Sequence, residues 1–252
     1  MAGIAAVVLT KNEEFHIVDC LESLSWANEL IVLDSFSTDQ TAQLAVQAGA
    51  SVHQNTFRDY ADQRNTALTL VREAWVLFVD ADERVSDSLA QEIRTSVAQS
   101  STVGWWIPRH NYIFGHRMRG TGWYPDHQLR LFQPDKGQYD PNRHVHELVN
   151  LQGPAGYLTQ PLIHYNYDSL RDFLTRQNRY SEYDAQILHN NGQRTRPRNF
   201  ILQPLREFNR RFMQEAGYRD HIYGLWLSLL MAYFEFVKYR KLHALRNTGK
   251  VK

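Results

Sequence analysis

The chain of 252 residues contains a single cysteine, Cys20. That excludes an intrachain disulfide and a zinc cluster built on cysteines. A reducing, cytoplasmic compartment is the simple expectation, and Cys20 itself reads as a core residue of the first helix. Net charge is also scarce. Lys and Arg number 28 and Asp and Glu 27, which leaves +1 with histidines neutral. Bulk charge therefore implies no partner, and nothing points to nucleic acid. No internal repeat or low-complexity tract occurs. The N-terminus has no basic leader, and its short apolar run reads as a buried strand instead of a signal peptide. The apolar stretch from Ile222 to Val237 covers 16 residues, interrupted by Gly224, Ser228 and Glu235. As a helix it would span roughly 24 Å, short of a hydrocarbon core of about 30 Å.

What is present supports an ordinary globular core: 43% hydrophobic and 22% charged residues. The length fits one large domain, or a catalytic domain with an appendage. Apolar, β-branched runs at Ala5 to Leu9, Leu30 to Leu33, Ser51 to His53 and Trp75 to Val79 read as strands. Helical spacing falls between them, over Glu13 to Leu24, from Ser37-Thr38-Asp39 to Ala48, over Tyr60 to Val71, and over Ser86 to Gln99. Such alternation predicts a mostly parallel α/β sheet with helices on both faces. Ligands bind such sheets outside the carboxyl ends of the strands. Thr10, Asn12, Glu13, Asp34, Asp80 and Asp82 all fall there. Val103 to Pro108 and Gln128 to Phe132 read as later strands, separated by a loop rich in Gly, Arg and aromatics from Arg109 to His127. Three helices follow from Asp168. The first ends at Asn190-Asn191-Gly192, the second carries Pro204 and stops at Gly217, and the third runs from Ile222 to Leu242.

Asp80-Ala81-Asp82-Glu83 is the strongest chemical signal. Two carboxylates at spacing two, in the turn after a buried strand, can approach one cation and one ribose together. Mg²⁺ or Mn²⁺ takes oxygen ligands and commonly binds through one or two carboxylates plus substrate phosphates.

Four ordered motifs give that signal context: Leu-Thr-Lys-Asn-Glu from Leu9, Asp-Ser-Phe-Ser-Thr-Asp-Gln-Thr from Asp34, Gln-Arg-Asn-Thr-Ala from Gln63, and Val-Asp-Ala-Asp-Glu from Val79. Together they resemble the large inverting glycosyltransferase family 2, with its GT-A fold, over roughly residues 4 to 165. Gly120-Thr121-Gly122-Trp123-Tyr124-Pro125-Asp126, the Leu-Arg-Leu-Phe run and Val145-His146-Glu147 resemble a narrower branch. That branch contains bacterial glucosyltransferases of lipopolysaccharide core assembly. The resemblance implies that Thr10 to Glu13 (Thr10, Asn12 and Glu13 among them) line the nucleobase pocket and that Asp34 accepts a hydrogen bond from the base. Arg64 and Asn65 would lie over base, ribose or phosphates. Asp80 would hold ribose or metal, Ala81 would line the nucleotide-sugar site, and Asp82 would ligate Mg²⁺ or Mn²⁺. Many relatives carry an aromatic where this chain has Lys11. Asp126 is the candidate general base, with Asp140 as rival. His146 is a candidate further metal ligand, competing with His144 and His164. Trp123 and Tyr124 are candidate acceptor contacts, and Trp105 and Trp106 compete for a sugar-stacking role.

The reading is a GT-A catalytic domain over 1–165 with a helical basic extension over 166–252. It would transfer a hexose by single displacement from a nucleotide sugar, UDP-glucose by analogy, to a glycan or lipid-linked saccharide. A sugar-phosphate nucleotidyltransferase would need a Gly-rich, basic N-terminal loop, which Leu9-Thr10-Lys11-Asn12-Glu13 lacks. A non-catalytic carbohydrate-binding or scaffold protein would not need Asp80, Asp82 and Asp126. From Asn190 to Lys252 there are 13 Lys and Arg against 4 Asp and Glu, a balance of +9, leaving −8 for the rest. With the apolar stretch, this favours a tail on an anionic membrane surface, at the inner face of the cytoplasmic membrane. The competing expectation is a buried core or dimer helix.

Overall fold

A computed structural model describes residues 2–99, 101–140 and 149–248. His144 and His146 lie outside the described residues. Two compact units emerge: Met1–Arg109 with His127–His164, and His110–Asp126 with Tyr165–Lys252.

The first unit opens with alternating strands and helices: β1 (Ile4–Thr10), α1 (Ile17–Ser23), β2 (Glu29–Asp34), α2 (Thr41–Gln47), β3 (Ser51–Gln54), α3 (Tyr60–Leu68), β4 (Trp75–Asp80), β5 (Glu83–Arg84) and α4 (Asp87–Gln99). The later strands are β6 (Gly104–Ile113), β7 (His116–Arg117), β8 (Asp126–Phe132), β9 (Gly137–Tyr139), β10 (Val149–Leu151), β11 (Ala155–Tyr157) and β12 (Leu162–Tyr167). The main sheet runs β3-β2-β1-β4-β8-β6-β12-β5. Its first four strands are parallel, and β8 turns antiparallel against β4. The expected mostly parallel sheet flanked by helices is therefore present. β1 and β4 are buried along almost their whole length, as strands covered on both faces must be. Their alternate residues feed two cores. Ala6, Val8, Leu77 and Val79 face one side with Cys20 and Leu24, while Ala5, Val7, Val76 and Phe78 face the other with Ala61 and Phe132.

The chain leaves β1 toward β2 on one side and returns to β4 on the other. The carboxyl ends of β1 and β4 thus flank the switch point where such sheets bind ligands. Leu9 and Asp80 are register partners there, as are Thr10 and Asp34 on the β2 side.

Three expectations need correction. Helix α1 begins at Ile17 and not Glu13, because residues 13–16 form a turn tied to the α2 loop. Helix α2 begins at Thr41, with no side-chain cap from Gln40; Asp39 instead accepts from the Thr41 backbone. The expected loop from Arg109 to His127 is mostly shorter than it reads. Pro108 lacks a ladder donor and looks like a strand end, yet β6 continues to Ile113 and pairs with β7.

In the second unit lie α5 (Leu170–Asn190), α6 (Asn199–Asn209) and α7 (His221–Thr248). A π turn at Arg210–Gln214 and a 3-10 turn at Gly217–Asp220 connect the last two. Leu227, Phe234 and Val237 of α7 bury against Ile113, Met118, Tyr167 and Phe173. Gly224, Ser228 and Ala232, the small residues at spacing four, are all buried, and a side chain at Gly224 would collide with the Gly217 carbonyl.

Candidate active site

At the carboxyl end of β1 the backbone passes through a left-handed residue, Asn12 (φ 57°), a conformation asparagine tolerates better than most. Its amide N–H donates to Ser37 Oγ at 2.9 Å, and its Oδ1 accepts from Thr38 N at 2.8 Å. Lys11 Nζ donates to the carbonyls of Ser35 and Phe36 at 2.7 and 2.6 Å. Glu13 N–H donates to Thr41 Oγ1 at 2.7 Å. The loops after β1 and β2 are thereby sewn into one platform. Asp34 is fully buried beneath it, accepting from Thr10 Oγ1 at 3.1 Å, from Ser37 N at 2.8 Å and from Ser37 Oγ. Asp34 thus organises the platform from within. Phe36, which sequence reasoning passed over, also has φ 57° and is 49% exposed. A bulky residue held there is a genuine backbone outlier, and such strain concentrates at ligand sites.

Across the switch point, Asp80 ends β4. Arg130 of β8 grips it with two donors, Nη1 to Oδ1 at 3.2 Å and Nη2 to Oδ2 at 2.5 Å. Arg64 of α3 stands 3.8 Å from the same carboxylate, its guanidinium 5.4 Å from the Tyr139 ring centre. Burial alone would raise the Asp80 pKa, but the charges of Arg130 and Arg64 prevail and hold the carboxyl well below the usual range. Burial likewise opposes the charge on Arg130, and the Asp80 and Glu83 carboxylates outweigh it, so its pKa rises. Glu83 is fully buried, accepting from Asp80 N at 2.9 Å and Arg109 Nη1 at 3.1 Å, with Arg130 Nη2 3.6 Å away. One carboxylate therefore fixes the turn and orients two arginines. Arg130 and Glu83 were legible only as parts of the Leu-Arg-Leu-Phe and Asp-Ala-Asp-Glu runs, and Arg109 only as the start of the loop to His127, with no role attached.

Asp82 faces the other way. Antiparallel pairing of β5 with β12 sets His164 opposite Glu83 and brings His164 Nε2 to 3.4 Å from Asp82 Oδ2. The Asp82 carboxylate is an oxygen ligand of the kind Mg²⁺ and Mn²⁺ take together with phosphate and water oxygens, and the softer His164 nitrogen beside it is matched to Mn²⁺ better than to Mg²⁺. No cluster of three or more His, Cys, Asp or Glu is preorganised for a metal among the described residues. The Ala81 carbonyl accepts from Arg84 at 2.8 Å. Asn65 joins α3 to β9, its amide donating to Tyr139 O at 2.9 Å and accepting from Tyr139 N at 3.0 Å. Cys20 lies beneath the turn with Sγ 3.5 Å from Asp80 O, and burial pushes its thiol pKa well up. Trp106 stacks on Tyr157, and Trp105 packs against the sheet core.

Asp126, Trp123 and Tyr124 belong to the second unit. The buried Asn111 donates to Asp126 Oδ2 at 3.3 Å and to the Trp123 carbonyl at 2.7 Å. The Tyr124 ring lies 5.2 Å from His110. Trp123 packs edge-on to Tyr167 within the apolar cluster of that unit, with Arg211 over its face. Asp220 is fully buried and accepts from Arg119 N at 2.8 Å and Gly120 N at 2.9 Å. Arg211, aimed by the π turn, donates to the Thr121 carbonyl at 2.8 Å.

Comparison with known proteins agrees with this fold. A lipopolysaccharide core biosynthesis glycosyltransferase, LpsC of Rhizobium meliloti, is 29% identical over 96% of this chain and 94% of its own. An uncharacterised glycosyltransferase of Rickettsia felis is 26% identical over 96% and 90%. Among solved structures, glucosyl-3-phosphoglycerate synthase of Mycobacterium tuberculosis, in complex with Mn²⁺, UDP and glucosyl-3-phosphoglycerate, aligns with a TM-score of 0.53 at 17% identity. That alignment covers 77% of this chain and 81% of the synthase. TarS 1–349 of S. aureus in complex with UDP aligns with a TM-score of 0.50 at 15% identity, over 98% and 92%. At these identities the two structures speak to the fold alone. Residues 5–161 match glycosyl transferase family 2, and the chain belongs to that family.

Proposed function

We propose that this glycosyltransferase moves a hexose from a UDP-sugar, UDP-glucose first among them, to a saccharide acceptor of the lipopolysaccharide core, with inversion. The observation that carries the reading is the divided acid pair. Asp80 is locked between two arginines, whereas Asp82 stands beside His164. Asp82 and His164 would hold a divalent cation, which supplies charge neutralisation for the departing diphosphate. The platform of Thr10, Asn12 and Glu13, with Phe36 exposed above Asp34, offers backbone polar groups and one aromatic plane to a nucleobase. Arg64, 3.8 Å from Asp80, would meet a diphosphate or ribose oxygen.

Asp126 is the proposed base. In a single displacement the acceptor hydroxyl attacks the anomeric carbon while a carboxylate takes its proton, through an oxocarbenium-like transition state. Asn111 holds one oxygen of Asp126 in place. The lipopolysaccharide assignment rests on the near full-length similarity to LpsC. The catalytic unit over 1–165 and the basic helical extension over 166–252 are proposed on the same footing. The test is a panel of nucleotide sugars incubated with Mn²⁺ and a deacylated core oligosaccharide, followed by anomeric analysis of the product. UDP release with a β-linked product from an α-linked donor is expected. Retention of configuration, or turnover with no UDP-sugar in the panel, would overturn the reading.

A further inference from the structure

No helix of the described residues is long and apolar enough to cross a membrane, yet α7 leaves a large apolar face uncovered. Ile222, Trp226, Leu229, Tyr233 and Phe236 recur at steps of four and three, which places them on one side of the helix. They are 57%, 60%, 48%, 56% and 36% exposed. The opposite side, with Leu227, Phe234 and Val237, is buried in the core of this unit. Helix α6 adds to the uncovered surface. Its Ile201 and Leu205, one turn apart, are exposed, and Phe200 meets Phe236 ring to ring at 5.9 Å. Single exposed apolar residues need no explanation, but a contiguous run of this size does.

The charges around the face are sorted by sign. All four acids between Asn190 and Arg246 are withdrawn from the surface. Glu207 is held by Arg210 and Arg211, Glu215 by Arg210, and Glu235 by Lys238, while Asp220 is buried. Arg194, Arg196, Arg198, Arg206, Arg219 and Arg240 are exposed, and Arg240 continues the line of Tyr233 and Phe236. A second copy of this chain docked on the same face would set cations against cations. An anionic bilayer would meet the arginines with phosphate and the aromatic residues with its interfacial layer, where Trp and Tyr are favoured.

We infer that the exposed face of α7, with the adjoining surface of α6, docks this enzyme on the surface of an anionic lipid bilayer. The helix lies in the plane of the interface, its apolar stripe entering the headgroup and acyl boundary by about 5–10 Å. The inference rests on the tail surface and not on donor chemistry, so its failure would leave the transferase reading standing.

Flotation of the full-length protein with phosphatidylglycerol vesicles, at low and high salt, tests it. Phosphatidylcholine vesicles serve as the uncharged control. The wild type should float with phosphatidylglycerol at low salt and more weakly at high salt, since exposed charges are screened within about 8–10 Å. It should bind phosphatidylcholine less. Leu229→Glu with Tyr233→Glu should abolish flotation, and circular dichroism with UDP binding establishes that the variant is folded. Arg194→Ser, Arg196→Ser and Arg198→Ser together leave the stripe intact and should weaken binding roughly fivefold per arginine that faces the lipid. A wild type that stays at the bottom of the gradient, or a folded double glutamate variant that floats unchanged, would overturn the inference. So would a dimer in sedimentation velocity that the glutamates dissociate, because the face would then belong to a second copy.

Discussion

His164 Nε2 lies 3.4 Å from Asp82 Oδ2, joined through the pairing of β12 with β5. Asp80, two residues earlier, has its carboxylate turned into the grip of Arg130. The two acids of one short motif therefore have different partners, Arg130 for Asp80 and His164 for Asp82.

Asp82→Ala and His164→Ala should each abolish the Mn²⁺-dependent part of UDP binding, leaving the fold intact. Calorimetric titration with UDP, with and without Mn²⁺, reads this directly. Removing even a partner that only orients a ligand typically costs about 10–100-fold in metal affinity. If His164→Ala binds Mn²⁺ and UDP as the wild type does, the imidazole only packs beside Asp82.

Arg130→Met should destabilise the protein by on the order of 3 kcal/mol, because it leaves the buried Glu83 and the Asp80 carboxylate short of a partner. Asp80 adds a pH signature. Its folded pKa is depressed, so its contribution is present above the unfolded value of about 3.9 and is lost as pH falls toward the folded value. The stability gap between wild type and Asp80→Asn, measured by urea unfolding, should be constant above about pH 5 and shrink in more acid solution. A gap that widens on acidification would contradict the pairing.

How far the sequence reached follows from these residues. Long strands were legible because β1 and β4 are continuous apolar runs, and α4, α5 and α6 because their apolar residues recur at helical spacing. Strands of two or three residues, such as β5 and β7, are too short to show one. Asp80 and Asp82 were visible as a pair, but their division was not, because it depends on Arg130 and His164 arriving from distant strands. The uncovered face of α7 was foreshadowed by the apolar stretch and the basic balance. Neither signal could say that one side of the helix is core and the other exposed.

Asp126→Asn should lose transfer by roughly 10²–10⁴-fold, the usual contribution of a general base, with UDP affinity unchanged. Asn111→Ala should fall between the two, since it removes a donor to Asp126 at 3.3 Å without removing the carboxylate. Single-turnover rates beside UDP dissociation constants separate chemistry from binding. A loss below tenfold in Asp126→Asn moves the role elsewhere, first to Asp140.

Asp220 offers the sharpest separation of structure from chemistry. Its carboxylate accepts the backbone N–H groups of Arg119 and Gly120, and Arg211 holds the next carbonyl, that of Thr121. Gly120 admits this closeness because a side chain there would collide with the Ala216 carbonyl. The segment leading to Trp123, Tyr124 and Asp126 is therefore clamped by residues of the connection between α6 and α7. Asp220→Asn keeps the volume but replaces one accepting oxygen by a donor opposite a backbone N–H. A buried amide left unpaired costs roughly 1–3 kcal/mol. We expect acceptor KM to rise and kcat to fall, with UDP binding in the presence of Mn²⁺ unchanged. Asp220→Glu, which restores the charge with one extra methylene, should recover part of the loss. If Asp220→Asn instead lowers UDP affinity as much as it lowers kcat, the residue supports the whole fold and has no particular hold on the acceptor loop.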